Sequence, residues 1–492
     1  MNSNTHRTDR VVGPILDGVS TNSESSECVE VVNPSNGRHL LTIPAGCDAD
    51  VDNVVTSARR AFEDGRWSDA PPTFRKRTMH RLADLVEAHS ATLDALDAEE
   101  MGKPIAEPWG NAASAAGVMR FYAESVDKVM GDVYGSDKYS FALQRRVPRG
   151  VVAAVTPWNF PTTNAVLKVA PALAAGNCVV LKPSELSSRS AIHLAHLALE
   201  AGLPPGALNI VPGLGKVVGR ALGLHKDVDL MTFTGSTVVG KQMLMYAGQS
   251  NMKVVVAECG GKSPHIVFAD VVDLDSTSTS IARLLLTNQG QLCVVGSRLV
   301  VQRSIQTIML EKIAAQLQKI RMGDALDPKT TFGPLASIQQ LDRVMNYIAT
   351  AEPDGARLVT GGRRALLDSN GYFVEPTIFA DVPPQARIGQ EEIFGPVLSV
   401  MAFEDESEAI RIANGTPYGL GASVWTTNLS TGMRMAKAIR SSVLVNACPA
   451  KGEGPGHAFS TEPIGQSGIG TEGGMPGLET YLRRQLVWFN HA

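Results

Sequence analysis

Gly150-Val151-Val152-Ala153-Ala154-Val155-Thr156-Pro157-Trp158-Asn159-Phe160-Pro161 decides the fold. Five apolar residues run without a polar interruption and stop at a polar, proline-bounded turn. A strand buried on both faces reads this way, because neither face meets water. Similar runs recur at Val151–Val155, Cys178–Leu181, Leu208–Val211, Leu230–Phe233 and Val254–Ala257, with helical segments between them at 162–173, 187–201, 215–223 and 236–247. Ser187-Ser188 and Gly235-Ser236 supply helix-start signals. This alternation predicts a parallel sheet with helices on both faces, right-handed crossovers, and a ligand beyond the C-terminal ends of the strands. Residues 150–258 therefore read as a nucleotide-binding domain.

Downstream of Gly260-Gly261 the alternation resumes with different loops, which predicts a second α/β domain from about 261 to 460. Residues 448–477 are rich in Gly and Pro and read as a long loop. Upstream, Pro71-Pro72 followed by Leu82, Leu85, Val86, His89, Leu93 and Leu96 predicts one amphipathic helix over 71–101. Residues 134–148 alternate weakly, as a hairpin arm would. The tail, Leu478 to Phe489, carries Tyr481, Leu482, Leu486, Val487, Trp488 and Phe489. A strand this apolar needs a partner, in this chain or in another subunit.

Composition removes several function classes. The 492 residues are enough for about three domains. With 44% hydrophobic and 19% charged residues, disorder and collagen-like structure are excluded. A net charge of −4 gives no reason to expect nucleic acid or an anionic membrane as partner. Cys28, Cys47, Cys178, Cys259, Cys293 and Cys448 are scattered, without disulfide-framework or metal-ligand spacing, as in a reducing compartment. Met1 to Arg10 is polar, and no apolar run approaches the roughly 18 residues of a membrane span. The expectation is a cytoplasmic protein. His193 and His196 lie about a helical turn apart but lack a third ligand, so no metal is expected.

Four segments carry the chemistry, all at expected strand ends or in Gly-rich loops. They are Thr156 to Pro161; Leu181-Lys182-Pro183-Ser184-Glu185; Phe233-Thr234-Gly235-Ser236-Thr237 to Gly240 with Glu258-Cys259-Gly260-Gly261-Lys262-Ser263-Pro264; and Asn288-Gln289-Gly290-Gln291-Leu292-Cys293. In wording and order they closely resemble the aldehyde dehydrogenase superfamily. Glu391-Glu392-Ile393-Phe394-Gly395-Pro396-Val397 and Asn414 to Gly421 resemble it too, and the resemblance runs from about residue 30 to the C-terminus. It implies an α/β architecture: a Rossmann-like parallel-sheet domain from 1–129 and 149–260, a catalytic domain from 261–460, and a small β oligomerisation arm from 130–148 and 461–492.

A lone cysteine is usually an inert buried thiol. In a Gly-containing loop with a carboxylate elsewhere to serve as base, it can act as nucleophile and leaving group. The resemblance makes Cys293 that nucleophile, forming a thiohemiacetal with an aldehyde. It makes the Asn159 amide and the Cys293 backbone N–H the oxyanion donors, and Glu258 the base that hydrolyses the thioester. Family members that pass the acyl group to coenzyme A typically lack this glutamate, so release of a free acid is expected.

The glycine pattern Gly213-Leu214-Gly215 with Gly219 is only a loose dinucleotide fingerprint. The resemblance instead assigns the adenosine ribose to Lys182 and Glu185, with Ser184 and Gly215 beside them. A carboxylate there accepts from ribose hydroxyls and repels a 2′-phosphate, favouring NAD over NADP. Thr156, Trp158, Phe233, Gly235 and Ser236 are assigned to the rest of the cofactor, and Glu258, Glu392 and Phe394 to its nicotinamide end. A homodimer or homotetramer is implied, with the arm and terminal strand crossing between subunits.

The sequence departs from the pattern at Leu292, Thr287, Leu167 and Pro463-Ile464-Gly465-Gln466-Ser467-Gly468. Phe121 to Lys128 and Ser250 to Lys253 faintly resemble enzymes of polyamine-derived aminoaldehydes. The tail from Gly474 differs from theirs, and no dense acidic cluster announces a cationic substrate. Two other readings stay open on the residues: a cysteine hydrolase working without NAD, and a catalytically silent scaffold.

Overall fold

The computed structural model describes residues 13–448 and 456–490. The polar stretch Met1 to Arg10 and residues 449–455 of the Gly/Pro-rich stretch lie outside the described residues. The expected strands form as β1 (Val151–Val155), β2 (Cys178–Lys182), β3 (Leu208–Ile210), β4 (Leu230–Thr234) and β5 (Val254–Glu258). They are mutually parallel in the spatial order β3-β2-β1-β4-β5. Every residue of β1 and β2 is buried, which is why these strands are apolar throughout instead of alternating.

The order reverses between β1 and β4, so the crevice beyond their C-terminal ends is where a ligand belongs. Each edge takes a short antiparallel strand: Ile15–Leu16 on β3 and Gly468–Ile469 on β5.

A second sheet of seven strands holds Pro264–Val267, Arg298–Gln302, Thr377–Ala380, Val397–Phe403, Gly421–Trp425 and Ser442–Val445 in parallel, with Arg357–Thr360 antiparallel at one edge. Two further core clusters pack around it, one containing Leu292, Val295 and Trp425. The third sheet joins Asp132–Val133, Ser140–Pro148 and Leu482–Asn490, the last two paired over their full nine residues. The apolar tail thus finds its strand partner within this chain. Buried Asn177 ties the base of this sheet down: its Oδ1 accepts from Arg149 N and Gly150 N, and its Nδ2 donates to Tyr481 O.

Three expectations need correction. The helix expected over 71–101 is two, Pro72–Ala88 and Ser90–Met101. His89 breaks the run at φ −96°, ψ 12°, and the break lets Leu82 and Leu93 each face the core. The helix expected at 215–223 begins as a wider five-residue turn, Gly215–Gly219, before Arg220–Leu224. The stretch read as a loop to 477 contains Gly468–Ile469 and the start of a helix, Gly474–Thr480. The backbone groups at the edge of β5 supplied hydrogen-bond partners that composition could not reveal.

Candidate active site

Two strand ends carry the first group of residues. Thr156, just past β1, donates its N–H to Lys182 O at 3.1 Å. Pro161 opens the helix Pro161–Ala174, a position where a missing N–H costs nothing. Asn159 is thereby fixed in the turn between strand and helix, buried. Its Nδ2 donates to Gln291 O at 2.9 Å, its Oδ1 accepts from Asn164 Nδ2 at 3.1 Å, and its carbonyl accepts from Asn288 Nδ2 at 2.7 Å. The loop before Cys293 is therefore laced to the end of β1.

That loop is strained. Asn288, Gln289 and Gly290 have φ of 45°, 56° and 70°, a left-handed run that asparagine and glutamine adopt at a cost of order 1 kcal/mol each. Gly290 is obligatory, since a Cβ there would lie 2.5 Å from Gly395 O. Gln291 holds the run in place, donating to Asn288 O and accepting from Ala336 N. Leu292 is buried in the core with Val295, so its bulk is absorbed by packing, and Cys293 is half-buried. Thr287 is likewise turned inward, donating to Arg283 O, and half-buried Leu167 packs against the first core.

Gly260 and Gly261 let the two halves meet. A Cβ at Gly260 would lie 2.4 Å from Glu392 Oε2, and one at Gly261 2.4 Å from Cys293 O. Glu392 Oε1 accepts from Gly261 N at 3.0 Å. Glu258 ends β5 beside them, buried, and its Oε1 has no hydrogen-bond partner. Next to it runs an ion pair of buried Lys168 with half-buried Glu472.

The electrostatics follow from that crowding. Burial, then the charge of Glu472, raise the pKa of Glu258 to about 8, with Lys168 pulling the other way. Burial raises Glu392 to about 7, opposed by the Gly261 N–H. Burial and the neighbouring Glu258 and Glu392 push the Cys293 thiol up to about 12. At neutral pH Cys293 is therefore a thiol and Glu258 largely protonated.

Lys182 and Glu185 pair at 3.1 Å beyond β2, with Lys182 buried. Burial disfavours ionised Glu185, but Lys182 outweighs it and holds the carboxyl below its usual range, with the Gly215 N–H contributing. Ser184 is buried and its hydroxyl accepts from Leu186 N. Beyond β4, Gly235 N donates to Glu258 O, while the Phe233 ring is a core residue beneath Gly235. Ser236 caps the 13-residue helix Thr237–Gln249 by accepting from Val239 N. Trp158 and Phe394 meet edge to face at 5.3 Å. Phe394 has φ 60°, held by Gln340 Nε2 on its carbonyl and by Arg343 on the carbonyls of Glu392 and Ile393.

The expected residues thus lie at and just beyond the C-terminal strand ends, and Lys168, Glu472, Gln340 and Arg343 stand beside them without having been singled out in the sequence. Lys168 carried a usable signal, a lone cation amid buried Val166, Val169 and Ala170. Glu472, in a Gly-rich stretch, carried none. The altered 463–468 segment still docks: Cys259 N donates to Ser467 O at 2.8 Å, and Gly468 pairs with Glu258. His193, considered for metal, instead lies 3.1 Å from His89.

A half-buried thiol, an oriented amide and a carboxylate with one unpartnered oxygen thus lie together at the strand ends of a chain built on two α/β sheets. Residues 20–487 match the model of the aldehyde dehydrogenase family. The chain is 42% identical over 480 residues to NADP/NAD-dependent aldehyde dehydrogenase PuuC of Escherichia coli K12, covering 96% of this chain and 95% of that protein. It is 40% identical over 464 residues to aminoacetaldehyde dehydrogenase of Pseudomonas aeruginosa, covering 93% and 91%. A variant of the P. syringae indole-3-acetaldehyde dehydrogenase AldA, solved with NAD+ and IAA, superposes with a TM-score of 0.94 at 44% identity, covering 97% and 96%. The chain belongs to the aldehyde dehydrogenase family, whose reaction oxidises an aldehyde to the carboxylic acid.

Proposed function

We propose that the chain oxidises a small-molecule aldehyde with NAD through a thiohemiacetal and a thioester on Cys293. The observation that carries this reading is the buried, unpartnered Oε1 of Glu258 in electrostatic reach of Cys293. The residues fit a dinucleotide: the Lys182–Glu185 pair with the Gly215 N–H, the helix N-terminus at Ser236, and the Trp158–Phe394 corner with Glu392. When bound, NAD supplies the hydride acceptor.

The chain's own residues do the rest. Cys293 Sγ bonds to the carbonyl carbon as its proton passes to solvent, which leaves Glu258 free to serve the hydrolytic step. The second Asn159 Nδ2–H and the Cys293 backbone N–H receive the oxyanion. Loss of hydride from that carbon leaves the thioester. Glu258 then takes a proton from water, which adds to the thioester carbon and expels the Cys293 thiolate. Lys168 and Glu472 set the charge around Glu258.

On this reading 1–129 with 149–260 hold the cofactor, 261–460 carry Cys293, and 130–148 with 461–492 serve assembly. Leu486 (57% exposed) and Trp488 (69%), on one face of the terminal strand, support a homodimer or homotetramer, since exposed apolar residues of this kind call for a partner. Six free cysteines favour the cytoplasm, and no helix among the described residues is long and apolar enough to cross a membrane. NADH absorbance against a panel of aldehydes, amino-bearing ones first given the aminoacetaldehyde relative, tests the proposal. NADH formed with NAD upholds it; ester hydrolysis without NAD and no NADH would replace it with the hydrolase reading.

A further inference from the structure

Just past Gly261, a narrow cleft enters the second half of the chain, with Leu420, which packs against Gly261, in its wall. Lys262, Ser263 and Arg298 form its floor, and Asn414, Arg440 and Ser441 are among the residues that wall it. Lys262 is 1% exposed and Arg298 2%. The Lys262 ammonium nitrogen and the Ser263 hydroxyl oxygen are both buried without a hydrogen-bond partner. Arg298 donates only to backbone carbonyls, those of Lys262, Ile412 and Ala413. No carboxylate is among the lining residues, and exposed Arg440 adds a third cation at the lip.

An arginine cannot shed its charge inside a protein, and a buried charge without a counter-charge is expensive. Carbonyl oxygens satisfy the geometry of its N–H groups without supplying a negative charge. Lys262 and Ser263 add four N–H and O–H donors to the same floor with nothing to receive them. A wall of donors and cations, lacking any carboxylate and open to solvent past a further cation, is a receptor for an anion. The floor is tight, so the occupant is small.

We propose that the Lys262–Ser263–Arg298 cleft is a binding site for a small inorganic anion, of halide size at its floor. The site adjoins the residues of the aldehyde chemistry through Gly261, whose N–H holds Glu392, and through the charges of Glu392 and Glu391, which act on Lys262. Bound there, the anion balances the Arg298 charge, favours the ammonium form of Lys262 and fixes the segment that brings Glu392 and Cys293 together.

The test uses the whole protein. Crystals soaked in bromide should show an anomalous peak against Lys262 Nζ and Ser263 Oγ. Thermal melts in chloride and in fluoride at matched ionic strength should show a midpoint that rises with chloride concentration in the native chain. In Lys262→Met the chloride-specific rise should vanish. A phosphate series forms the second arm: a Lys262-dependent rise with phosphate and none with chloride keeps the anion site and makes its occupant an oxyanion. The proposal is overturned if the cleft holds only water in the bromide crystal, or if the two proteins respond equally to every anion. Should Lys262→Met fail to fold, the bromide map of the native chain decides alone.

Discussion

Asn159 Nδ2 donates to the carbonyl oxygen of Gln291 at 2.9 Å, two residues before Cys293. One amide hydrogen is thereby spent on aiming the other. Because the acceptor belongs to the nucleophile's own loop, donor and thiol keep their spacing when that loop shifts. In the proposed mechanism this preorganises the asparagine for charge that develops only during reaction, which is where a hydrogen bond accelerates chemistry.

Asn159→Ala should therefore lower kcat by about 10²–10³-fold, the usual loss for one oxyanion donor. NAD affinity should change little. Steady-state kinetics with a separate NAD titration checks this, and an equal loss in both would make Asn159 a general structural residue.

Cys293→Ala should abolish NADH formation while the chain stays folded. The native thiol, held up to about 12 by burial and by Glu258 and Glu392, gives a second check. Only the thiolate alkylates, so iodoacetamide labelling of the cofactor-free protein should accelerate about tenfold per pH unit with no plateau below pH 10. Mass spectrometry of the Cys293 peptide reads it. A plateau near neutrality would mean that the thiol is already activated.

Glu258→Gln should release a single burst of NADH and then stall, because the thioester forms but its hydrolysis lacks a base. In the native protein the base must be ionised, and its pKa is raised to about 8. The protonated form dominates below that value, so the deacylation rate should climb as pH rises through about 8. Rapid-mixing absorbance separates burst from turnover. Normal turnover by the glutamine variant would require another base.

Much of this was legible in the sequence, for a physical reason. Strands β1 and β2 lie at the centre of a sheet covered on both faces, so their apolar runs had to be continuous, and the turns that end them had to be polar. Residues anchored to those ends, such as Asn159, Lys182 and Glu258, could be placed by counting along the chain. What stayed hidden was tertiary. Glu472 reaches Lys168 across 304 positions, and neither residue type nor spacing marks such a pair. The break at His89 answers to what each half-helix packs against. The two-residue strand at Gly468 exists only because β5 has an open edge.

The Lys168–Glu472 pair should tune Glu258 in opposite directions. Lys168 lowers the Glu258 pKa and Glu472 raises it. Lys168→Met should accordingly move the rising limb of the deacylation profile to higher pH, and Glu472→Gln to lower pH. Glu472→Gln also strands the buried Lys168 charge and should destabilise the fold by about 3 kcal/mol, and Lys168→Met, which leaves half-buried Glu472 unpaired, by less. A shared loss of stability with opposite pH shifts distinguishes tuning from damage; profiles moving the same way would refute it.

Glu185 is the last discriminating position. Its carboxylate is ionised, paired with Lys182 at 3.1 Å and lying against the Gly215 N–H. A ribose 2′-hydroxyl can donate to it, whereas a 2′-phosphate would meet like charge in a partly buried setting, a cost of several kcal/mol. Glu185→Ala removes that repulsion and leaves the Lys182 ammonium without its partner, free to face a phosphate. The ratio of kcat/KM for NADP to that for NAD should rise at least about tenfold, equivalent to 1.4 kcal/mol. The gain should come from both terms, with weaker NAD use and stronger NADP use. If the ratio is unchanged while both values fall, Glu185 only braces Lys182, and the preference between the two cofactors lies elsewhere in the crevice.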